Sequence, residues 1–259
     1  MAVTSLSQSG INNYIRFNSI NDASRFLATG GAENESGGYK YHTFESSGNF
    51  VVTTGVNKVD FFLVSGGGGG GNGSAGSGGG GGQVLETVTA AALSAGSYPI
   101  VIGAGGSTAS AGTDSSAFGT TAENGLGGIS SNSAGQVGGA SGAGFAGGGG
   151  STFSSGGGGG QTENGGGASL AYAGGQGNNR FWRAVGGTGA PAVPSNFTGA
   201  SIDYSGGGGG RATRGSTPHT GTNQTTQGSS GGGQSAGRGG GGFGDTAGYS
   251  GVIIVRYAI

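Results

Sequence analysis

The stretch Val59-Asp60-Phe61-Phe62-Leu63-Val64-Ser65 runs without a break into Gly66-Gly67-Gly68-Gly69-Gly70-Gly71. Its first half is a β-branched and aromatic run that reads as a strand. Its second half carries no side chains, so only backbone groups can hold it in place. The same pairing recurs at the far end of the chain. There the tract Gly239–Gly242 is followed by Gly251-Val252-Ile253-Ile254-Val255-Arg256-Tyr257, the strongest strand pattern present. A terminal strand of this kind closes a sheet begun near the start of the chain. The two strands then clamp both ends of the glycine region, which a mere linker would not need.

Composition narrows what that region is. Of 259 residues, 72 are Gly, 4 are Pro and none is Cys, while 8% are charged and the net charge is −1. Disordered chains usually combine low hydrophobicity with high net charge, and here the second condition fails. Collagen needs Gly at every third position and abundant Pro, which the unbroken run Gly66–Gly71 excludes. A flexible linker remains one reading; the other is a polyglycine II lattice. In such a lattice the chain follows the three-residue left-handed helix of polyproline II, and glycine keeps the N–H that proline lacks. Ordering Gly costs about 0.5–1 kcal/mol more than ordering Ala, so only a dense hydrogen-bond array can offset it.

Residues 38–65 read as strands, with further strands expected at Gln83–Thr89, Tyr98–Ile102 and Ser116–Phe118. From 66 to 250 glycine tracts alternate with variable segments, without a strict repeat period. A five-residue tract at about 3.1 Å per residue spans about 15 Å. Many short rods side by side therefore make a compact sandwich with the variable segments at its ends. The expected fold is mostly β and irregular: a small β-sheet frame plus a packed polyglycine II lattice with exposed loops, and little or no α-helix.

Residues 1–37 differ from the rest and read as a separate attachment segment, leaving 38–259 as the β-framed glycine-rich domain. Ile11, Tyr14, Ile15, Phe17 and Ile20 are its large apolar residues. They serve either a partner or an arm packed on its own domain. Asp22 is placed to cap a short helical turn through Arg25-Phe26-Leu27.

The alternation of glycine tract and variable loop over about residues 66–250 resembles the receptor-binding adhesins at the tips of T-even-like phage long tail fibres. The frame Val59–Gly71, closed by Gly251–Tyr257, looks like the glycine-rich domain near the ends of many phage tail proteins. The resemblance implies a polyglycine sandwich whose loops bind a host surface, on a virion. The partners implied are a host outer-surface protein or lipopolysaccharide, and other tail-fibre proteins through the N-terminal segment. Those adhesins begin with a Trp-bearing docking domain; here the N-terminal region has no Trp, and Ile11–Ile20 takes its place.

Three loops carry candidate receptor-binding residues. Ala168–Val185 holds Tyr172, Arg180, Phe181, Trp182 and Arg183, the residue types that dominate interface hot spots. Ala190–Tyr204 holds Phe197 and Tyr204 with two stiffening prolines, and Arg211–Gln227 holds Arg211, Arg214 and His219. Packing at the lattice edge, or plain solvation, is the competing reading for each. Residues 171–259 carry six basic and two acidic side chains, a balance of +4. That half either suits an anionic bacterial surface or, with so few charged residues, carries no functional meaning.

No cofactor, metal or catalytic site is expected. The two histidines, His42 and His219, show no zinc spacing. Chance G-x-G-x-x-G matches abound in so glycine-rich a chain, and no clean strand–turn–helix unit contains one. A lone Arg238-Gly239-Gly240 is no nucleic-acid segment. No apolar run reaches membrane-span length, so no membrane insertion is expected. The start Met1-Ala2-Val3-Thr4 lacks a signal-peptide pattern, which predicts synthesis in a cytosol and assembly into a virion, or else an extracellular place. A second functional class also fits: a capsid decoration, filament or matrix protein whose loops contact further copies.

Overall fold

The computed structural model describes residues 25–73, 76–89, 92–131, 136–150, 155–160, 163–165, 169–173, 181–185, 188–210 and 238–259. These residues form small β-sheets and extended glycine segments, and no α-helix occurs among them. One five-stranded antiparallel sheet has the order β1 (Leu27–Thr29), β4 (Gly48–Thr54), β7 (Gly96–Val101), β8 (Ser115–Ala117), β9 (Thr120–Ala122). The other has the order β2 (Ala32–Ser36), β3 (Tyr39–Phe44), β14 (Val252–Ala258), β5 (Asp60–Val64), β6 (Val84–Thr89).

The terminal strand closes the second sheet from its centre. In β14, Ile253 lies opposite Phe44 and Leu63, and Val255 opposite His42 and Phe61. Successive side chains point to opposite faces of a strand. Phe61, Leu63, Ile253 and Val255 therefore face the first sheet, where Phe50, Val52, Ile100 and Ala117 complete one core. Phe62, Val64, Val252 and Ile254 face the other way into a second core. The runs in β5 and β14 are continuously apolar because both faces of this sheet are covered.

The second core is roofed by a hairpin of β12 (Val193–Ser195) and β13 (Ile202–Tyr204). Phe197 stacks on Phe62 at 5.6 Å, and Tyr204 meets the same ring edge-on at 4.8 Å. Arg256 lies between the rings of Phe197 and Tyr39, and its Nη1 donates to the Phe197 carbonyl at 3.0 Å.

The N-terminal end departs from expectation. Arg25-Phe26-Leu27 is not a helical turn: Leu27–Thr29 pairs with β4, and Ala32–Ser36 pairs with β3. Residues 27–36 thus belong to both sheets rather than to a separate segment ending at 37. Backbone pairing along two sheet edges outweighs one local cap. Gly30 and Gly31, with φ of 115° and 63°, turn the chain from one sheet into the other; left-handed values of this kind favour glycine. Residues 1–24, including Ile11, Tyr14, Ile15, Phe17 and Ile20, lie outside the described residues.

The glycine tracts leave the sandwich from one end and pack side by side. The N–H groups of Gly66 and Gly69 donate to Thr113 and Ser110, those of Gly67 and Gly70 to Tyr249 and Thr246, and those of Gly68 and Gly71 to Gly80 and Ser77. The carbonyls repeat the pattern: Gly66 and Gly69 accept from Gly125 and Gly128, Gly67 and Gly70 from Gly106 and Ala109, Gly68 and Gly71 from Gly242 and Asp245. The partner changes at each residue and returns after three, which is the screw of a polyproline II-type helix. Six different segments therefore surround 66–71, and neighbouring segments in that ring also bond to one another, as Gly112 does to Gly125 and Tyr249 to Gly240.

Residues 77–82 form a second such centre. Their N–H groups reach 126–129, 156–159 and 239–242, while their carbonyls accept from 68–71, from 139–142 and, at Gly79 and Gly82, from the backbone N–H of Gly208 and the hydroxyl of Ser205. The interior is thus a hexagonal array of glycine helices. At its edge burial itself takes period three: Gly125 and Gly128 are buried while Leu126 and Ile129 are exposed. One face in three meets water there, and only that face can carry a side chain.

Serines close the tracts. Ser65, Ser77, Ser155 and Ser205 each directly precede a glycine tract, and each is fully buried. Gln83 N–H donates to the Ser65 hydroxyl at 2.8 Å and Ile129 N–H to that of Ser77 at 2.7 Å. The hydroxyl is small enough for the lattice and satisfies a neighbour's backbone where the glycine register ends.

Candidate functional site

The fold has two unlike ends. Strands β5, β7, β9 and β13 run outward into the glycine segments, and 77–82, 110–113 and 246–250 run back into β6, β8 and β14. At the opposite pole Thr54 Oγ1 donates to the Arg25 carbonyl at 2.9 Å, and Ile259 N–H donates to Gly38 at 3.1 Å. Arg25 and the C-terminal residue are therefore both on the side away from the lattice. Leu27, Val56 and Ile259 are exposed apolar residues of this pole, at 41%, 65% and 57%.

At the far end, separate turns are tied together around Asn72. Ser131 N–H donates to the Asn72 carbonyl at 2.8 Å, and Asn72 N–H donates to Ser130 Oγ at 2.8 Å. Gly73 N–H donates to Asp245 Oδ1 at 3.1 Å, and Asp245 N–H donates to Gly71 at 2.9 Å. The turns Ser107–Ser110 and Phe243–Thr246 flank Gly70, which accepts from Ala109 at 2.9 Å and donates to Thr246 at 2.8 Å. In these turns Ala109 and Asp245 hold left-handed φ values of 60° and 69°, uncommon for residues with a Cβ. The lattice beneath fixes that backbone. Asn72, Ser107, Ser110, Ser130, Asp245 and Thr246 are exposed there.

The candidate residues of the sequence fall into three groups. Tyr172, Phe181, Trp182 and Arg183 lie on a hairpin of β10 (Ser169–Ala173) and β11 (Phe181–Val185), with Tyr172 opposite Trp182 and Ala171 opposite Arg183. The segment expected as an irregular loop is thus partly a two-stranded ribbon. Phe197 and Tyr204 are 4% and 5% exposed and belong to the second core. They are packing residues of the sandwich and present no contact surface, because the apolar face of β5 and β14 needs a cover. Arg180, Arg211, Arg214 and His219 lie outside the described residues. The turns around Asn72 were missed, since single Asn, Ser and Asp residues between glycine tracts give no periodic signal.

Among the described residues charge sits mainly on the sandwich. Lys40 Nζ pairs with Glu33 at 2.7 Å; the hydrogen bond between them raises the lysine pKa and lowers the carboxyl's. Arg256 Nη2 is 3.6 Å from Asp60. Arg238 accepts through its carbonyl from Ser205, at the junction of sandwich and lattice. His42 is fully buried between the sheets; its Nδ1 lies 2.8 Å from the Gly30 carbonyl and its ring stacks on Tyr257. Burial pushes its pKa down and pushes those of Tyr204 and Tyr257 up. A shallow cleft of about 430 Å³ lined by Gly31, Ala32 and residues 43–49 opens beside the sheet edge, with Glu45 its one charged side chain.

The family model of a glycine-rich domain matches residues 43–258. That span takes in the strands β4 to β14 and every glycine segment of the lattice. No curated protein matches the chain.

Proposed function

The chain belongs to the glycine-rich domain family, and on that premise we propose that it is a non-catalytic adhesin of a phage virion, carried on a tail fibre. The lattice end meets a host cell surface, and the sandwich pole with residues 1–24 meets the virion. One observation carries this reading: turns far apart in sequence are locked into a single polar surface at the end opposite Arg25 and Ile259. A rigid support of this kind reduces the ordering entropy lost on binding. Leu27, Val56 and Ile259 supply apolar surface at the other pole, where a fibre would dock.

The test is binding of the labelled full chain to a panel of bacteria. A Phe181→Ala/Trp182→Ala variant, checked for an unchanged melting temperature, is run beside it. Saturable binding to some hosts and not others supports the adhesin; absence of binding to every host tried counts against it.

A second reading, a self-assembling structural protein, draws on the lattice flank. Leu126, Ile129 and Val137 are each about half exposed on neighbouring edge helices, and Leu126 N–H donates to Ala140 between them. Concentration-dependent growth in sedimentation velocity, abolished by Ile129→Ser, would favour it over the adhesin.

A further inference from the structure

Three Asn–Gly pairs occur in the chain, Asn72-Gly73, Asn124-Gly125 and Asn164-Gly165, and all three lie among the described residues. In such a pair the glycine nitrogen can attack the side-chain carbonyl of the asparagine, because the second residue has no Cβ to hinder the approach. The reaction needs that nitrogen to give up its proton. The partner of the glycine N–H therefore decides where it runs.

The lattice separates the three pairs. Gly125 N–H donates to the Gly66 carbonyl at 2.9 Å inside the array, and Gly125 is buried. Gly165 N–H donates to the Ala146 carbonyl at 3.0 Å, and Asn164 Oδ1 accepts from Ala146 N–H at 2.9 Å. Each of these nitrogens must leave a backbone partner before it can react. Gly73 N–H instead donates to side chains, to Asn72 Oδ1 at 2.6 Å and to Asp245 Oδ1 at 3.1 Å. Its nitrogen thus stands against the amide group that it would attack. Asn72 and Asp245 are both exposed, so water and hydroxide reach the site. The N–H and carbonyl of Asn72 are held by Ser130 Oγ and Ser131 N–H, and ring closure consumes neither group.

We propose that Asn72 is a self-modification site, at which the Gly73 nitrogen closes a succinimide ring and converts the asparagine to an aspartyl residue. Hydroxide takes the Gly73 N–H proton, and a turn of the exposed Asn72 side chain brings Cγ to the nitrogen. The N–Cγ bond forms and the Cγ–Nδ2 bond breaks. Nδ2 leaves as ammonia, with a proton from water. Water then opens the ring, and no oxidant or reductant is needed. Cleavage of the new N–Cγ bond gives aspartate. Cleavage between the Gly73 nitrogen and the Asn72 backbone carbonyl carbon gives isoaspartate, whose main chain runs through Cγ. Either product places a second carboxylate beside Asp245 at the end of the lattice. The inference stands apart from the adhesin reading, since it needs no partner but water.

The experiment incubates the full folded chain in mildly alkaline buffer, with a second portion held in urea. Peptide mapping by mass spectrometry follows aspartate and isoaspartate at the three positions. In the folded chain Asn72 should convert about tenfold faster than Asn124 or Asn164, or more, because each of their glycines must first give up a lattice hydrogen bond. In urea, where no lattice bond remains, the three should convert at similar rates. Hydroxylamine, which attacks succinimides, should cleave the folded chain between Asn72 and Gly73 in preference to the other two pairs.

If folding protects Asn72 as strongly as Asn124 and Asn164, the proposal is overturned. A tenfold lead for Asn72 in urea as well would assign the selection to local sequence and overturn the structural argument. Conversion at Asn72 without cleavage by hydroxylamine would mean direct hydrolysis by water, and would remove the Gly73 nitrogen from the reaction.

Discussion

Replacing Gly80 by Ala tests the lattice at a tightly packed interior point. A Cβ there would come within less than 3.0 Å of the Ala140 carbonyl oxygen and carbon and of Ser141 N, all backbone atoms. No flexible side chain can yield, so one or more glycine helices must shift. Three bonds depend on the present spacing: Gly80 N–H to Leu126 at 2.9 Å, Gly68 N–H to Gly80 at 2.8 Å and Leu126 N–H to Ala140 at 2.8 Å. Each contributes about 1 kcal/mol net, and each buried group left unpaired costs about 1–3 kcal/mol. Losing two or three bonds therefore costs about 3–6 kcal/mol. The smaller conformational freedom of Ala in the unfolded chain returns about 0.4–1 kcal/mol. The net loss of about 3–5 kcal/mol corresponds to about 10 °C in melting temperature for a chain of this length.

Gly149 is the matched control. It is exposed, has no heavy atom within 4 Å of an added Cβ, and does not need a left-handed backbone. Gly149→Ala should leave the melting temperature unchanged or raise it slightly, by the unfolded-state term alone. Both variants are read by thermal melts followed by circular dichroism and by calorimetry. If Gly80→Ala melts with the parent, a close-packed glycine array is not what holds the chain together.

Acid should destabilise the protein through His42. Its folded pKa lies below the ordinary 6.5 because burial disfavours the imidazolium, against the opposing pull of Glu33 at 3.8 Å. Lys40 adds repulsion, while neutral Tyr257 stacks on the ring. The unfolded chain then takes up a proton that the folded one refuses. Stability is therefore retained above about pH 6.5 and falls as pH drops through that value toward the lower folded pKa. Urea titrations at pH 7.5 and 5.5 should show the drop, and a folded His42→Gln variant should show less of it. Phe197→Ala should cost about 3–5 kcal/mol, the usual loss for a buried aromatic. It also removes the ring beneath Arg256 at 4.1 Å. Denaturant melts measure that loss; a stability equal to the parent's would mean that the hairpin does not cover the second sheet.

What the sequence discloses depends on whether side chains report the burial. Val59–Val64 and Val252–Tyr257 are legible because both faces of their sheet are covered, which leaves an unbroken apolar run. Strand β2, Ala-Glu-Asn-Glu-Ser, is exposed along its whole length, so no apolar alternation marks it. Its place comes from the edge of β3. Strand β12 contains Pro194, a residue that speaks against a strand unless it lies at an edge; in a two-stranded hairpin each strand has such an edge. The glycine lattice was legible as a class, because composition excluded collagen and the strands clamping both ends of the glycine region spoke against a linker. Its neighbour relations were not, since identical glycines carry no register. The serines that precede four of the tracts were a visible signal, Ser-Gly-Gly repeated, whose role only the hydrogen bonds disclose. The Phe197 and Tyr204 assignment failed because loop aromatics and lid aromatics look alike until the apolar face beneath them is known.

Residue-resolved amide hydrogen exchange across 66–82 tests the central claim, an ordered hexagonal array, most directly. The account predicts strong protection, at the level of global unfolding, for Gly68, Gly69, Gly70, Gly79, Gly80 and Gly81, whose N–H groups all donate within the lattice. Exchange at unfolded-chain rates across these tracts, with the strands β5 and β14 still protected, would contradict it and leave the glycine region a tether between two strands.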